Sequence, residues 1–438
     1  MDTNKFNKAL KAYRNKEYYL ANKLYKNLLK NAHNNGTVLF NYALSFYQLK
    51  DYKRAIKYYK KSYKILKANE ILINIGDAYL KLEKYNKAIK YYNLMLNLEP
   101  NNLFALINKG FIYKLKGKYN KALTYYNKVL TLDPSNVDAH WNKSHILLLL
   151  GNYKEGFIEY EWRHSKEFSN IQIPKNIPLY NQENLNGKKL LLYPEQGFGD
   201  NIQMARYIPL LYELNIDLYV LPLKEQIELF STIKNIKLIS NDEIHKIDYY
   251  IKSMSLPYLF ETTLNNIPNN LPCFFPKKSK EIENLTKSKK FKVAIAWQGE
   301  KNHINDKYRS INIKYLKPLF KIDKIDFYSL QIDSAKNDIK KYDNVIDCSK
   351  FINNFHDTAN IIKNTDLVIS IDSSVAHLSG SLNKKTWLLL PNNPDWRWGL
   401  KQKTTPWYKT IKIYRNKKLS TSWKEVIKNV KKDLLKLI

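Results

Sequence analysis

The sequence predicts an α-helical solenoid of short repeats followed by an α/β region of two lobes, each built on a parallel sheet. Three observations carry this prediction. Small and aromatic residues recur about every 34 residues up to residue 160, two later segments have the pattern of a strand, a turn and a helix, and strands alternate with helices from residue 188 onward. At 438 residues the chain is long enough for two or three domains with separate cores.

A repeat marks the N-terminal third of the chain. Five small residues lie 34, 33, 34 and 34 residues apart, and a tyrosine follows each of them four residues later. These columns are Ala21, Ala55, Ala88, Ala122 and Gly156, with Tyr25, Tyr59, Tyr92, Tyr126 and Tyr160. The period and the columns resemble tetratricopeptide (TPR) repeats, helix pairs that stack because one pair cannot bury its apolar face alone. We count about five repeats over residues 1–168, expect the tyrosines to pack inside the array, and expect its groove to bind a protein.

The first strand-turn-helix segment spans residues 188–211 and reads KKLLLYPEQGFGDNIQMARYIPLL. Its apolar run predicts a strand at 189–193, and a helix should begin near Asn201. Gly197 and Gly199 lie in the turn between them, where glycine permits a positive φ or a close approach to a ligand. Because the whole chain has only 12 glycines, two in one turn indicate a backbone requirement.

The second segment spans residues 366–391 and has the same order of elements. Residues 367–371 form a short apolar, β-branched run, Asp372, Ser373 and Ser374 offer N-cap side chains, and residues 375–382 have helical spacing. Backbone N–H groups, the positive end of the helix dipole and two serine hydroxyls would converge at this turn, which is how open α/β sheets hold phosphate. The alternative interpretation is an ordinary connection in which serine only caps the helix.

The remaining elements alternate between strand and helix. We expect strands at 216–221, 236–239, 249–252, 327–330, 345–346, 385–390 and 411–414, and a strand with the turn after it at 291–299. Helices are expected at 224–230, 313–320, 335–341, 358–363 and 422–437. Such alternation implies parallel sheets in two Rossmann-like lobes, and with a terminal helix that crosses back the order of elements resembles the GT-B glycosyltransferase architecture. The expected boundaries are 169–280 for the amino-terminal acceptor lobe, 281–420 for the carboxy-terminal nucleotide-sugar lobe and 421–438 for the terminal helix.

The composition limits the classes of partner and the compartment. A net charge of +33 is typical of nucleic-acid binders, but lysine is over-used along the whole chain and only residues 277–292 form a block, so we expect no nucleic-acid partner. Cys273 and Cys348 are too few for a disulfide framework and lack a metal-binding spacing, which indicates a reduced compartment. The start of the sequence has no apolar signal core, and the longest aliphatic run is 146–150. We therefore expect a cytoplasmic protein without a membrane span.

Several motifs in fixed order resemble the bacterial TPR-containing glycosyltransferases, which are related to the heptosyltransferase family. These motifs are YPEQGFGDNIQMARYIPLL, AIAWQG followed by Asp306 and the RSI at 309–311, SLQ, FHDTANIIKNTDLVISIDSSVAHLSGSL, TWLLLP, and PDWRW at 394–398. The resemblance covers nearly the whole chain. Ser374 departs from the glycine common in heptosyltransferases, and Gln298 from the basic or small residue common in the TPR group, so the donor's identity is left open.

The resemblance implies a set of site residues for transfer from a nucleotide sugar. It places Asp200 as the base that takes the acceptor proton, although the same side chain could be a helix N-cap. The predicted set comprises Asp200 and His377 as catalytic residues; Arg309, Asp372, Ser373, Ser374, Trp297 and Gly299 around the donor; and Gln196, Gly197, Gly199 and Gln203 on the acceptor side or loop. Arg309 would clamp phosphate, or else form only a surface salt bridge. Trp396, Arg397 and Trp398 are expected to pack the lobe rather than stack on the nucleotide.

The sequence therefore predicts a glycosyltransferase that needs no metal or cofactor, because no DxD motif is present and GT-B enzymes usually work without a metal. The expected substrates are a nucleotide sugar and a protein acceptor recruited by the array. Three alternatives stay open: a transferase acting on lipopolysaccharide or another glycan with repeats used for assembly, a TPR scaffold with an inactive α/β region, and a nucleic-acid binder whose binding would depend steeply on salt.

Overall fold

The structure, a computed structural model, describes residues 2–165, 176–180, 185–303, 305–340, 342–417 and 421–438. The chain divides into two compact units, residues 1–146 and residues 147–438. The expected domain boundary at 168/169 and the last residue of the helix expected at 335–341 lie outside the described residues.

Among the described residues, ten helices follow one another in five pairs in the N-terminal part. They are α1 (Thr3–Arg14), α2 (Tyr18–Asn31), α3 (Gly36–Gln48), α4 (Tyr52–Leu66), α5 (Glu70–Lys81), α6 (Tyr85–Leu98), α7 (Leu103–Leu115), α8 (Tyr119–Leu132), α9 (Val137–Leu150) and α10 (Tyr153–Tyr160). Side chains before several helices accept a backbone N–H of the first turn: Asp51 Oδ1 from Arg54 at 3.0 Å, and Asn102 Oδ1 from Ala105 at 3.1 Å. Local capping thus sets where these helices begin.

The tyrosine column fills the core of the array. Tyr59, Tyr92 and Tyr126 are 0% exposed, which confirms that they pack inside. A Cβ on Gly76 would lie 2.5 Å from Cε1 of Tyr92, and a Cβ on Gly110 would lie 2.7 Å from Cε1 of Tyr126. Glycine in the first helix of these pairs therefore lets the ring of the second helix rest against its backbone.

Gly76→Ala should destabilise the array by about 1 to 3 kcal/mol, because the added methyl overlaps a buried, rigid ring. Alanine favours a helix by about 1 kcal/mol over glycine, so the clash must outweigh that gain. Urea unfolding of the full chain, followed by the helical circular dichroism signal, measures the difference. In a Tyr92→Leu background the same substitution should be neutral or stabilising, and equal losses in both backgrounds would contradict this packing.

The described residues of the second unit contain two parallel sheets. Strands β1 (Lys189–Tyr193), β2 (Asp217–Val220) and β3 (Tyr249–Lys252) form a three-stranded sheet in the order β2-β1-β3. Strands β4 (Phe291–Ala296), β5 (Ile325–Ser329), β6 (Val345–Asp347), β7 (Leu367–Ile371), β8 (Thr386–Leu390) and β9 (Ile411–Arg415) form a six-stranded sheet in the order β6-β5-β4-β7-β8-β9. A helical array followed by two parallel sheets confirms the predicted fold class.

Short helices connect these strands. The α-helices are α11 (Phe198–Met204), α12 (Ile208–Tyr212), α13 (Ile227–Phe230), α14 (Leu256–Leu259), α15 (Lys280–Leu285), α16 (Asp306–Arg309), α17 (Lys317–Phe320), α18 (Phe355–Lys363), α19 (Ser374–Ser381) and α20 (Lys424–Leu434). Single 3-10 turns occupy Glu161–Ser165, Ala205–Tyr207, Lys224–Gln226, Asn241–Lys246, Ser253–Ser255, Ile313–Tyr315, Ser334–Ile339, Ser349–Phe351 and Trp396–Trp398. Among the described helices, none is long and apolar enough to cross a membrane.

Some predicted elements differ in the structure. The strand expected at 236–239 is wrong, because only Leu238 pairs with Val220, in an isolated parallel bridge at the last residue of β2. The helix expected at 313–320 is instead a 3-10 turn followed by the four-residue α17, with Pro318 in its first turn, where a missing N–H is tolerated. The turn at Ser334–Ile339 is likewise 3-10.

The terminal helix α20 packs on the six-stranded lobe. Its buried residues Val426, Ile427 and Val430 share one core cluster with residues of β4, β5 and β7. We expected a helix that crosses back to the first lobe, whereas this apolar face is buried in the core of the second lobe. Its basic residues lie on the opposite, exposed face.

A buried ion pair fixes the end of α10 to the loop after β1. Arg163 is 0% exposed, and its Nε and Nη2 donate to the carboxylate of Glu195 at 2.9–3.0 Å. Nη2 also donates to Ser255 Oγ at 2.7 Å. Because a buried guanidinium must be paired, this cluster holds residues 194–196 in place directly before the glycine turn.

Candidate functional site

The two strand-turn-helix segments meet beyond the carboxyl ends of their strands, β1 and β7. Helix α11 follows β1 and helix α19 follows β7, and the two helices pack against each other. A Cβ on Gly199 would lie 2.7 Å from Cδ2 of His377 and 3.4 Å from Cα of Ser374. Glycine at position 199 therefore permits this close approach, and both predicted turns lie at one cleft between the lobes.

Arg309 reaches the donor-side turn from the end of α16. Its Nη1 donates to the main-chain oxygen of Asp372 at 3.0 Å, and its Nε donates to Asp306 Oδ1 at 3.4 Å. Gly299 makes room for it, since a Cβ there would lie 2.6 Å from Nη2. The Arg309 side chain is 12% exposed. Because a guanidinium carries five N–H groups, Arg309 retains donors for an anion beside Asp372.

The donor-side turn holds a carboxyl group that titrates near neutral pH. Burial, with the charge of Asp395 as the next cause, raises the pKa of Asp372 to about 6, against the opposing effects of Trp398 and Arg309. Ser373 is the residue before α19 and has extended backbone, and its Oγ lies 3.3 Å from Ser370 Oγ. Ser374 begins the helix. The turn thus combines a helix N-terminus and hydroxyls with a carboxyl group that is partly neutral at pH 6.

His377 lies one turn into α19 and is only 6% exposed. Its Nδ1 is hydrogen-bonded to the Tyr408 hydroxyl at 3.0 Å, and its ring centroid is 5.1 Å from that of Trp398. Burial first, and the positive charge of Arg397 second, lower the pKa of His377 to about 3. The imidazole is therefore neutral at physiological pH, and it can offer a hydrogen bond but no positive charge.

Both carboxylate oxygens of Asp200 already have partners. Oδ2 accepts the backbone N–H of Gly197 at 2.9 Å; because Gly197 is the N-cap of α11, Asp200 lies in the first turn of this helix and not at the N-cap position of the alternative interpretation. Oδ1 is paired with Nη2 of Arg397. Burial raises the pKa of Asp200, and the charge of Arg397 opposes that shift. A carboxylate has about four lone-pair positions, so an acceptor hydroxyl could still approach this side chain, which is 19% exposed.

Arg397 is the residue at this cleft that sequence reasoning assigned to packing alone. It is 5% exposed; Nη1 donates to Asp395 Oδ1 at 2.9 Å, Nε donates to Gln203, and Nη2 pairs with Asp200. Burial alone would lower its pKa, but the carboxylates of Asp395 and Asp200 raise it above the ordinary value. The signal available in the sequence was an Arg between two tryptophans and two residues after an Asp, in the PDWRW motif at 394–398.

Two other predicted residues are buried and a third is half-buried. Gln203 is 0% exposed and accepts from Arg397, and Trp297 is 1% exposed in the core of the second lobe. Gln196 has a left-handed φ of 61° and its Nε2 donates to the Tyr160 hydroxyl at 2.8 Å. In this structure these side chains support the segments that carry Gly197, Gly199 and Gly299, of which Gly199 lies within α11.

Replacing Asp372 by Asn should change how stability depends on pH. The folded pKa of about 6 lies above the ordinary value of about 3.9, so the folded protein holds this proton more tightly and loses stability as pH rises from about 4 to about 6. Relative to wild type, Asp372→Asn should therefore gain up to about 3 kcal/mol between those limits. Urea unfolding of the α/β unit at several pH values measures the gain.

Asp217→Asn is the matched control for that experiment. Asp217 is paired with Lys237 on the surface, and this contact lowers its pKa, so its substitution should shift stability in the opposite direction as pH rises. A stability difference between Asp372→Asn and wild type that stays constant with pH would contradict the raised pKa.

The comparison with protein families identifies the repeats of the N-terminal part. Tetratricopeptide-repeat profiles match residues 6–70, 70–102 and 104–136. No curated protein matches the sequence. These matches leave the glycosyltransferase resemblance of the later residues a prediction.

Solved structures that are similar to this chain include repeat proteins. MamA is 20% identical, with 36% of this chain and 93% of that chain covered and a TM-score of 0.33. MamA 41-end from Desulfovibrio magneticus RS-1 is 18% identical, with 38% and 96% covered and a TM-score of 0.35. A tetratricopeptide repeat protein from Parabacteroides merdae ATCC 43184 is 20% identical, with 37% and 66% covered and a TM-score of 0.34. The profile matches confirm the tetratricopeptide repeats predicted from the period, and the chain carries them over residues 6–136.

Proposed function

We propose that the α/β unit is a glycosyltransferase that moves a sugar from a nucleotide-sugar donor to an acceptor hydroxyl, and that the repeats recruit a protein acceptor. The observation that carries this proposal is the meeting of two glycine- and serine-containing turns at one cleft, with Arg309, Asp372 and His377 on one side and Asp200 on the other. Facing lobes with an anion site at a helix N-terminus suit a nucleotide substrate.

The leaving group in this reaction is a nucleoside phosphate, whose negative charge grows as the bond from its oxygen to the sugar breaks. Arg309 is placed to meet that charge because its Nη1 already lies 3.0 Å from the backbone at the start of the α19 turn. The free N–H groups of α19 and the hydroxyls of Ser373 and Ser374 add neutral donors. His377, which is neutral, would contribute a hydrogen bond. The donor side therefore combines one cation with several dipoles.

The acceptor hydroxyl must lose a proton as its oxygen bonds to the anomeric carbon. Asp200 is our candidate base: burial raises the pKa of its carboxylate, which increases its basicity, while Arg397 and the Gly197 N–H hold its orientation. Asp372, beside the leaving group, would bind hydroxyls of the donor sugar. In this scheme protein groups neutralise the negative charge of the departing nucleoside phosphate, and no divalent metal is required.

A non-catalytic scaffold is the second candidate. It is favoured by one observation: each oxygen of Asp200 is engaged by a structural partner, as expected for an ion pair that only holds two lobes together. Under this hypothesis the repeats bind proteins and the α/β unit serves as a rigid support. The two candidates differ in whether Asp200 matters for turnover.

Asp200→Asn should lower transfer by roughly two to four orders of magnitude, the range expected when a general base is lost. Asparagine keeps the oxygen that accepts from Gly197, so donor binding should persist. The rate is measured as release of nucleoside phosphate from a panel of nucleotide sugars, in buffer with EDTA. Asp217→Asn, a surface carboxylate, is the control and should keep the wild-type rate. An unchanged rate in folded Asp200→Asn removes Asp200 from the mechanism, and activity that needs magnesium or manganese contradicts the metal-free scheme.

Removing residues 1 to about 132 tests whether the repeats choose a protein acceptor. The α/β lobes have their own cores, and repeat arrays contact mainly their neighbours, so the shortened chain should fold and still hydrolyse donor slowly. Transfer to the protein acceptor should fall sharply, because tethering supplies effective concentration. Full transfer to a macromolecular acceptor by the shortened enzyme would instead favour a glycan acceptor and an assembly role for the repeats.

A further inference from the structure

Stacked aromatic pairs recur along the helical array. Phe46 and Tyr58 have ring centroids 5.7 Å apart and planes at 9°, and Tyr79 and Tyr91 are 5.6 Å apart at 23°. A third pair, Tyr113 and Tyr125, is 5.5 Å apart at 6°. In each pair the first ring comes from the first helix of a repeat and the second ring from the second helix. The pairs therefore occupy equivalent positions in three successive repeats, at the repeat period of 33 or 34 residues.

Each aromatic pair carries basic side chains on its rings. Arg54 Cζ lies 4.6 Å from the Phe46 ring, Lys121 Nζ lies 4.5 Å from the Tyr113 ring, and Lys109 Nζ lies 4.7 Å from the Tyr125 ring. Lys60 Nζ lies 5.4 Å from the Tyr79 ring and 5.5 Å from the Tyr91 ring, and Lys87 Nζ lies 5.8 Å from the Tyr79 ring. We call these rings and cations the tyrosine–lysine stripe: Phe46, Tyr58, Tyr79, Tyr91, Tyr113 and Tyr125 with Arg54, Lys60, Lys87, Lys109 and Lys121.

The ammonium groups of the stripe lack acidic partners in the part of the array that the structure describes. Lys60 Nζ donates to the Tyr79 hydroxyl at 3.0 Å, which uses one of its three N–H donors. Lys109 is the strongest case, since only 8% of the residue is exposed and its ammonium is held against a ring rather than a carboxylate. Residues 1–146 contain 27 of the 73 Lys and Arg residues but only 9 of the 40 Asp and Glu residues. Among the described residues, the stripe therefore presents the ammonium groups of Lys60, Lys87 and Lys121 without carboxylate partners, whereas Arg54 is paired with Asp51.

We propose that the tyrosine–lysine stripe binds an extended, acidic peptide segment of a partner protein. Contact with a ring face fixes each ammonium in advance, so that less side-chain entropy is lost when a carboxylate binds. Carboxylates on alternate residues of an extended chain point to one side and can reach successive cations. We expect this segment to belong to the acceptor protein, and that part of the inference rests on the proposed function.

The ring contacts favour a peptide over single-stranded nucleic acid. Proteins that bind single strands offer free aromatic faces on which bases stack. In the stripe, Tyr113 has Tyr125 stacked at 5.5 Å and the ammonium of Lys121 at 4.5 Å from its ring, and Tyr79 has Tyr91 and Lys60 in similar places. A base could stack only by displacing these groups. A carboxylate needs only the N–H donors that each ammonium group has left over.

The test measures binding of a fluorescent peptide of about twelve residues with alternating glutamate and serine, which spans about 40 Å at ~3.3 Å per residue. Fluorescence anisotropy with the full-length chain gives the Kd at low salt. The triple variant Lys60→Gln, Lys87→Gln, Lys121→Gln should weaken binding by about 10-fold or more, because three charge-assisted contacts are lost. Lys109→Met, which removes the least exposed cation, serves as a second, single-site variant.

The matched control removes the same charge from elsewhere in the array. Lys8, Lys30 and Lys64 are exposed and contact no ring in the described structure, so their triple Gln variant should change the Kd by less than about 2-fold. Equal weakening by both triple variants would show that net charge alone is responsible and would overturn the stripe. Absence of binding to the wild-type chain would also overturn it, as would tighter binding of an oligothymidylate of equal charge that is lost in the stripe variant.

Peptide binding is read without any transfer reaction, so the two proposals fail separately. If the acidic peptide does not bind at the stripe and the chain still hydrolyses a nucleotide sugar, only this inference is refuted. An acidic peptide bound at the stripe by a chain that never hydrolyses a nucleotide sugar refutes only the transferase.

Discussion

The buried guanidinium of Arg397 is the constraint on which the cleft depends. It is a charge at 5% exposure in the second lobe, and one of its two carboxylate partners, Asp200, belongs to the first lobe. A buried cation that loses a partner costs about 3 to 5 kcal/mol, so the lobes are held where the pair forms. That position brings α11 against α19 so closely that only glycine fits at position 199. This ion pair and the packing of α11 against α19 together set the arrangement of the lobes.

The same pair sets the chemistry that the cleft can perform. The charge of Arg397 adds to burial in keeping His377 neutral, so the donor side has a cation in Arg309 and a neutral donor in His377. Asp395 shares Arg397 and also faces Asp372, whose pKa is raised to about 6. The site thus alternates acidic and basic groups from one lobe to the other. Such an arrangement can bind an anion and orient a carboxylate without further charged groups.

The sequence predicted those parts of the fold whose determinants are local. The strand at 367–371 and the helix after it were found because an apolar run, capping side chains and small residues lie within about fifteen positions. The tyrosine column was found because its period repeats. The role of Arg397 could not be found in this way, since its partner Asp200 lies 197 residues away in the chain. The strand expected at 236–239 is wrong because an apolar run does not show how many residues of the neighbouring strand will pair with it. In the structure Leu238 pairs with Val220 in a single bridge.

The central claim is that the cleft binds the nucleoside phosphate of a sugar donor, and calorimetric titration of the nucleoside diphosphates and CMP tests it most directly. The account predicts that one of them binds the wild-type chain, and that Arg309→Ala weakens this binding by about 10-fold or more through loss of a charge-assisted contact. Lys314→Ala, which removes an exposed cation of the same lobe, should leave the affinity unchanged. Failure of every nucleotide to bind, or wild-type affinity in Arg309→Ala, would contradict the account.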